Sequence, residues 1–77
     1  MGTIRVLGPG CPRCKQLAEN AETAAREAGS GWQVEKVTDL DEMLSYGILA
    51  TPALVIDGEV KLAGKVPSPK EIREMLG

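Results

Sequence analysis

The chain has no histidine and no phenylalanine, one tryptophan, one tyrosine and two cysteines in 77 residues. Zinc wants four ligands, so without histidine or a third cysteine a full zinc site would need a second chain or several carboxylates. With so little aromatic bulk the core has to be aliphatic. A net charge of −2 supplies no basic field of the kind nucleic acid requires. No apolar run is long enough to span a bilayer, and no signal peptide is expected before the first strand. The expected location is the cytoplasm, with no membrane partner. The cysteines do not suit a stapled scaffold either. A Cys11–Cys14 bond closes a loop of about four residues, and in the chain-entropy view so short a loop adds little stability. The pair is better placed for chemistry.

The length bounds the rest. Seventy-seven residues, 43% of them hydrophobic, make a single domain spanning residues 1–77, with a core that is marginal at this size. Thr3 to Leu7 is nearly continuously apolar and reads as a central buried strand. Gly8, Pro9 and Gly10 break it. Pro12 suits the first position of a helix, where its missing N–H costs nothing. Cys14, Leu17, Ala18, Ala21, Ala24, Ala25 and Ala28 then recur at three- and four-residue spacing as one apolar stripe, closed by Gly29. The stripe puts Cys14 on the buried face, while Cys11 precedes the helix and is expected to be exposed.

Ser30-Gly31 reads as a turn. Trp32 to Val37 alternates as a second strand with one buried face, parallel to the first through the intervening helix. Asp39 caps a short helix with Leu40, Met43 and Leu44 on one side, ended by Tyr46-Gly47. Thr51-Pro52 precedes a third strand, Ala53 to Ile56. Asp57-Gly58 is a two-residue hairpin signal, and Glu59 to Ala63 returns as an edge strand. Ser68-Pro69-Lys70-Glu71 is a capping box opening a last helix, with Ile72, Met75 and Leu76 on its apolar face. The expected order is β-α-β-α-β-β-α.

Cys-x-x-Cys at a strand-to-helix junction has three readings. As a redox pair, an exposed thiolate favoured by the helix dipole attacks a disulfide and the second thiol resolves the product. As a metal-binding or metal-delivery module, the pair holds copper(I) with two ligands; domains of that kind run β-α-β-β-α-β. As an inert pair it does nothing. Placement and element order favour the first. A redox-responsive binding module that never turns over is a further form of it.

The element order, with Cys-x-x-Cys after the first strand and Thr-Pro before the third, resembles the thioredoxin fold in its minimal, glutaredoxin-sized form. More narrowly, Gly10-Cys11-Pro12-Arg13-Cys14-Lys15, Tyr46-Gly47-Ile48, Thr51 to Gly58 and Gly64 to Ser68 resemble the small thioredoxin-like redox-active disulfide proteins of archaea and anaerobic bacteria. The likeness covers essentially the whole chain. It implies an α/β fold with a four-stranded mixed sheet in the order 2-1-3-4 and helices on both faces. It also implies a monomeric protein-disulfide reductase with no bound cofactor, its redox centre being the Cys11–Cys14 disulfide. Cys11 would attack and Cys14 resolve. Pro52 would be the cis-proline beside the thiols, and the backbone of Thr51 would pair with an extended substrate segment. Disulfide-containing proteins would be the substrates and a flavin-dependent thioredoxin reductase the electron donor. Pro12, Arg13 and Lys15 are candidates for tuning the Cys11 thiol or steering acidic partners. Two departures accompany the likeness. Thioredoxin keeps a buried acid on the strand leading to the site, and Thr3 to Leu7 has none. Ala63-Gly64-Lys65-Val66 does not match the Gly-Gly-x-Asp type stretch with which glutaredoxins hold glutathione.

Overall fold

A computed structural model describes residues 2–29 and 31–76. Its elements are β1 (Gly2–Leu7), α1 (Pro12–Glu27), β2 (Trp32–Val37), α2 (Leu40–Ser45), β3 (Ala53–Ile56), β4 (Glu59–Ala63) and α3 (Pro69–Met75). This is the β-α-β-α-β-β-α order expected from the sequence. Of the predicted Ser30-Gly31 turn, Ser30 lies outside the described residues.

One four-stranded sheet runs β2-β1-β3-β4. β1 pairs with β2 in parallel and with β3 antiparallel, and β3 pairs antiparallel with β4. The parallel pair needs a crossover, which α1 supplies, whereas β3 and β4 need only a tight turn. Asp57 and Gly58 make that turn with φ of 50° and 82°, the left-handed pair that a type I′ hairpin demands. The Asp57 carboxylate also accepts the Thr3 N–H at 2.9 Å, and the Asp57 N–H donates to the Thr3 carbonyl at 2.9 Å. The hairpin tip is thereby fastened to the start of β1.

Alternation along the central strands divides the core into two layers. Ile4 and Val6 of β1 and Leu54 and Ile56 of β3 meet α1 and α3 on one face; Leu7, Ala53 and Val55 meet Met43 and Ile48 on the other. The α1 stripe is mostly alanine, with Ala18, Ala21, Ala24 and Ala25 all buried, and such short side chains bring a helix close to its sheet. Asn20 of α1 donates to the Pro67 carbonyl at 2.9 Å, tying α1 to the segment that opens α3. There Ser68 and Glu71 form the full capping box, with Pro69 in the first turn.

Three expectations of burial are corrected. Ala28 is exposed, because α1 ends at Glu27 and the chain turns away through Gly29 at φ 106°. β2 does not bury one face alone: Trp32 and Val34 pack on the α1 side, Lys36 is exposed, and Val37 is buried on the α2 side. On α2 only Met43 is buried, while Leu40 and Leu44 are 67% and 58% exposed. The six-residue helix brings one side chain to a layer already occupied by Leu7, Val37 and Ile48.

Candidate active site at the end of β1

β1 does not stop abruptly at Leu7. Gly8 still donates to the Val37 carbonyl at 3.0 Å, and the chain then turns through Pro9 and Gly10, the latter at φ 94°. Cys11 is the N-cap of α1, with extended backbone at φ −66° and ψ 165°, and its carbonyl accepts the Lys15 N–H at 3.0 Å. Pro12 stands in the first turn, where it gives up no hydrogen bond.

An N-cap side chain normally offers an oxygen to the exposed amides of the first turn. Here sulfur takes that place: the Cys14 N–H donates to Cys11 Sγ at 3.3 Å. The Cys11 thiol is held below its ordinary range, first by the hydrogen bond from the Cys14 side chain and then by the Cys14 backbone N–H. Cys14 goes the other way. Its residue is 5% exposed, and burial, followed by the hydrogen bond to the Cys11 side chain, pushes its thiol up. The pair is therefore asymmetric, as the helical stripe predicts, although Cys11 is half-buried rather than fully open. Both thiols are free.

The second wall comes from far along the chain. The Thr51–Pro52 bond is cis, Pro52 is buried and Thr51 half-buried. Gly8 lies between this segment and the thiols. A Cβ on Gly8 would collide with Cys14 Sγ, lie 3.1 Å from Cys14 Cβ and sit 3.8 Å from Pro52 Cα. Gly64 links the two segments, donating to the Pro52 carbonyl at 2.7 Å while its own carbonyl accepts Arg13 Nη2 at 2.9 Å.

Of the expected site residues, Cys14 and Pro52 meet at Gly8, Cys11 adjoins Cys14 through its sulfur, and Thr51 adjoins Pro52 in the chain. Arg13 is engaged in a cross-link to the loop after β4 rather than standing as a free cation. Lys15 is exposed. Lys65 is exposed too, on a groove shared with Leu62, Glu71 and Met75. Tyr46 packs under the sheet, and its hydroxyl accepts Arg5 Nη1 at 2.7 Å. Gly8 and Gly64 are the residues that sequence reasoning missed. Gly8 was legible only as a strand breaker, since its contact with Pro52 is long-range. Gly64 was visible only as part of a family-like segment. Among the described residues, no three of His, Cys, Asp or Glu gather as a metal ion would require. No described helix is long and apolar enough to cross a membrane.

The pattern of the thioredoxin domain family matches residues 2–77. A protein named thioredoxin from Methanothermobacter thermautotrophicus is 40% identical over 76 residues, covering 99% of each chain. Another thioredoxin, from Methanocaldococcus jannaschii, is 40% identical over 76 residues, 99% of this chain and 87% of its own length. A probable thioredoxin from Methanothermobacter thermautotrophicus is 35% identical over 71 residues, 88% of this chain and 82% of its own.

Proposed function

The chain belongs to the thioredoxin family, and on that footing we propose that it is a thiol–disulfide oxidoreductase that reduces protein disulfides by dithiol exchange. The observation that carries the reading is the asymmetry of the two thiols. Cys11, at the helix N-cap with a lowered pKa, is the attacking thiolate; Cys14, buried three residues on, is the resolving thiol.

In the first step the Cys11 thiolate attacks one sulfur of the substrate disulfide. A Cys11–substrate bond forms and the other substrate sulfur leaves as a thiolate. In the second step the Cys14 thiolate attacks Cys11 Sγ, the Cys11–Cys14 bond forms, and the substrate's remaining sulfur leaves. Two electrons pass to the substrate and the protein ends as a disulfide. Cys11 and Cys14 are separated by only two residues, so the second step is intramolecular and its geometry is preset. Thr51, beside Pro52, offers its backbone to an extended substrate segment as a short strand addition. The disulfide itself is the redox group, so no bound cofactor takes part. A flavin-dependent thioredoxin reductase would return the pair to the dithiol, with the protein acting as a monomer in the cytoplasm.

The test is trapping. Cys14→Ser should accumulate a mixed disulfide with a disulfide-containing protein such as insulin, and Cys11→Ser should not. Equal trapping by both variants would overturn the assignment of roles. Stoichiometric copper or zinc on anaerobically purified protein, held against a competing chelator, would instead support a metal-delivery module.

A further inference from the structure

Thr51 lies outside the sheet, because β3 begins at Ala53. It is half-buried, and among the described residues no protein group pairs with its N–H or its carbonyl. A segment that is to pair with this backbone gains most when the backbone is already held in place. Pro52 has no N–H, so its carbonyl is the one backbone group by which it can be held. The Gly64 N–H donates to that carbonyl at 2.7 Å. Gly64 also faces Ala50: a Cβ built on it would lie 3.2 Å from the Ala50 side chain. Gly64 thus meets the residues on both sides of Thr51. It is held in turn from α1. The Gly64 carbonyl accepts Arg13 Nη2 at 2.9 Å, and further on the Pro67 carbonyl accepts Asn20 Nδ2 at 2.9 Å. Arg13 and Asn20 stand about two helical turns apart, so they share one face of α1. Together they strap Gly64 and Pro67 along the helix, and Val66 between them packs against the core. The Arg13 end of the strap is the one that reaches Pro52.

We propose that Arg13 is a positioning residue for protein substrates: through Gly64 it fixes Thr51–Pro52 against the end of α1 that carries Cys11. The inference rests on the dithiol-exchange reading and names the residue that ties the two walls of that site together. Cys11 caps α1, and Arg13 stands in the first turn of the same helix. From the attacking sulfur to the backbone that receives the substrate, the connection runs through α1, the guanidinium, Gly64 and Pro52. A segment laid on Thr51 brings its disulfide to Cys11 only if that span is fixed, and a misplacement of an ångström is costly in rate. Arg13 acts here by its hydrogen bond and not by its charge. The side chain is exposed, so its charge is screened by salt, whereas the bond to Gly64 has a set length and direction. A small disulfide that never pairs with Thr51 gains nothing from this bond.

The test sets a protein disulfide against a small one. Insulin reduction, with dithiothreitol as reductant, gives KM and kcat for the wild type, Arg13→Met, Asn20→Ala and Lys65→Met. Thiopyridone release from dithiodipyridine, a neutral disulfide, gives the reactivity of the thiols themselves. Arg13→Met should raise KM for insulin about three- to tenfold, the usual worth of one hydrogen bond, with kcat and the dithiodipyridine rate unchanged. The rise should persist at high salt, where steering by charge fades. Exchange of the Gly64 amide proton, followed by NMR, should quicken in the same variant. Lys65→Met removes an equal charge from the strap, and Asn20→Ala removes the bond at its far end; both should keep the wild-type KM. An unmoved KM or unchanged Gly64 exchange in Arg13→Met overturns the role of Arg13. So does an equal rise in either control, a rise that salt abolishes, or an equal slowing with dithiodipyridine. Failure of the wild type to reduce insulin overturns the dithiol-exchange reading itself and takes this inference with it.

Discussion

Gly8 is where the near and far parts of the site touch. Cys14 occupies the space a side chain would fill there, with Pro52 beyond it. Gly8→Ala should therefore cost about 1–3 kcal/mol, the usual penalty for overpacking, read as a lower urea midpoint at unchanged slope. The same substitution should disturb the reactivity of Cys14, which distinguishes it from a loss of stability elsewhere. The thiols carry a prediction of their own. With Cys11 lowered and Cys14 raised, alkylation of the dithiol form by iodoacetamide should begin at Cys11 at a pH below that of an ordinary thiol, and reach Cys14 only above it. Mass mapping of the modified cysteine across pH checks the order. The difference in exposure was readable from the sequence, because Cys14 falls on the apolar stripe of α1 while Cys11 precedes the helix. The cross-link from Arg13 to Gly64 was not, because nothing local to either residue announces the other.

At the level of elements, caps were easier to read than burial. Asp39 caps α2 and Ser68 caps α3, as their positions predict. Capping is local chemistry written within a few residues. Which side of a short helix turns inward depends on what the sheet has left uncovered, and that is decided by β1, β2 and β3. Hence Leu40, Met43 and Leu44 look equivalent in sequence, yet only Met43 enters the core. Met43→Ala should cost about 2–5 kcal/mol, whereas Leu44→Lys should fall within about 0.5 kcal/mol of the parent. Denaturation of both variants tests the burial pattern of α2. On α3, Ser68→Ala removes the acceptor for the Glu71 N–H, at 3.2 Å, and should cost about 1 kcal/mol.

For the molecule as a whole, the strand order was readable because each connection leaves few choices: a helix between parallel strands, a two-residue turn between antiparallel ones. The way α1, α3 and β2 share the core was not, since Val37 and Lys36 depart from simple alternation. Global stability should carry the mark of the two thiols in opposite directions. In Cys14→Ser Cys11 is the one thiol left and keeps the backbone N–H of residue 14, the second cause of its lowered pKa, so the unfolded chain still binds more protons through that window. Stability should then rise with pH, being complete above the ordinary thiol value and lost as pH falls through the folded pKa. In Cys11→Ser only Cys14 titrates, its raised value reverses the sign, and stability should fall as pH climbs from the ordinary thiol value through the folded one. Urea titrations of both variants between neutral and alkaline pH measure the slopes. A last consequence follows from the fastening of Asp57 to Thr3, residues 54 positions apart. β1 is synthesised before its antiparallel neighbour β3, with α1, β2 and α2 between them. Pairings of such separation form slowly, after the chain between them has closed. A nascent chain that has emerged only as far as β2 thus presents its Cys-x-x-Cys before the wall bearing Pro52 and Gly64 exists, and Gly8 meets its far neighbour only once residue 52 has followed.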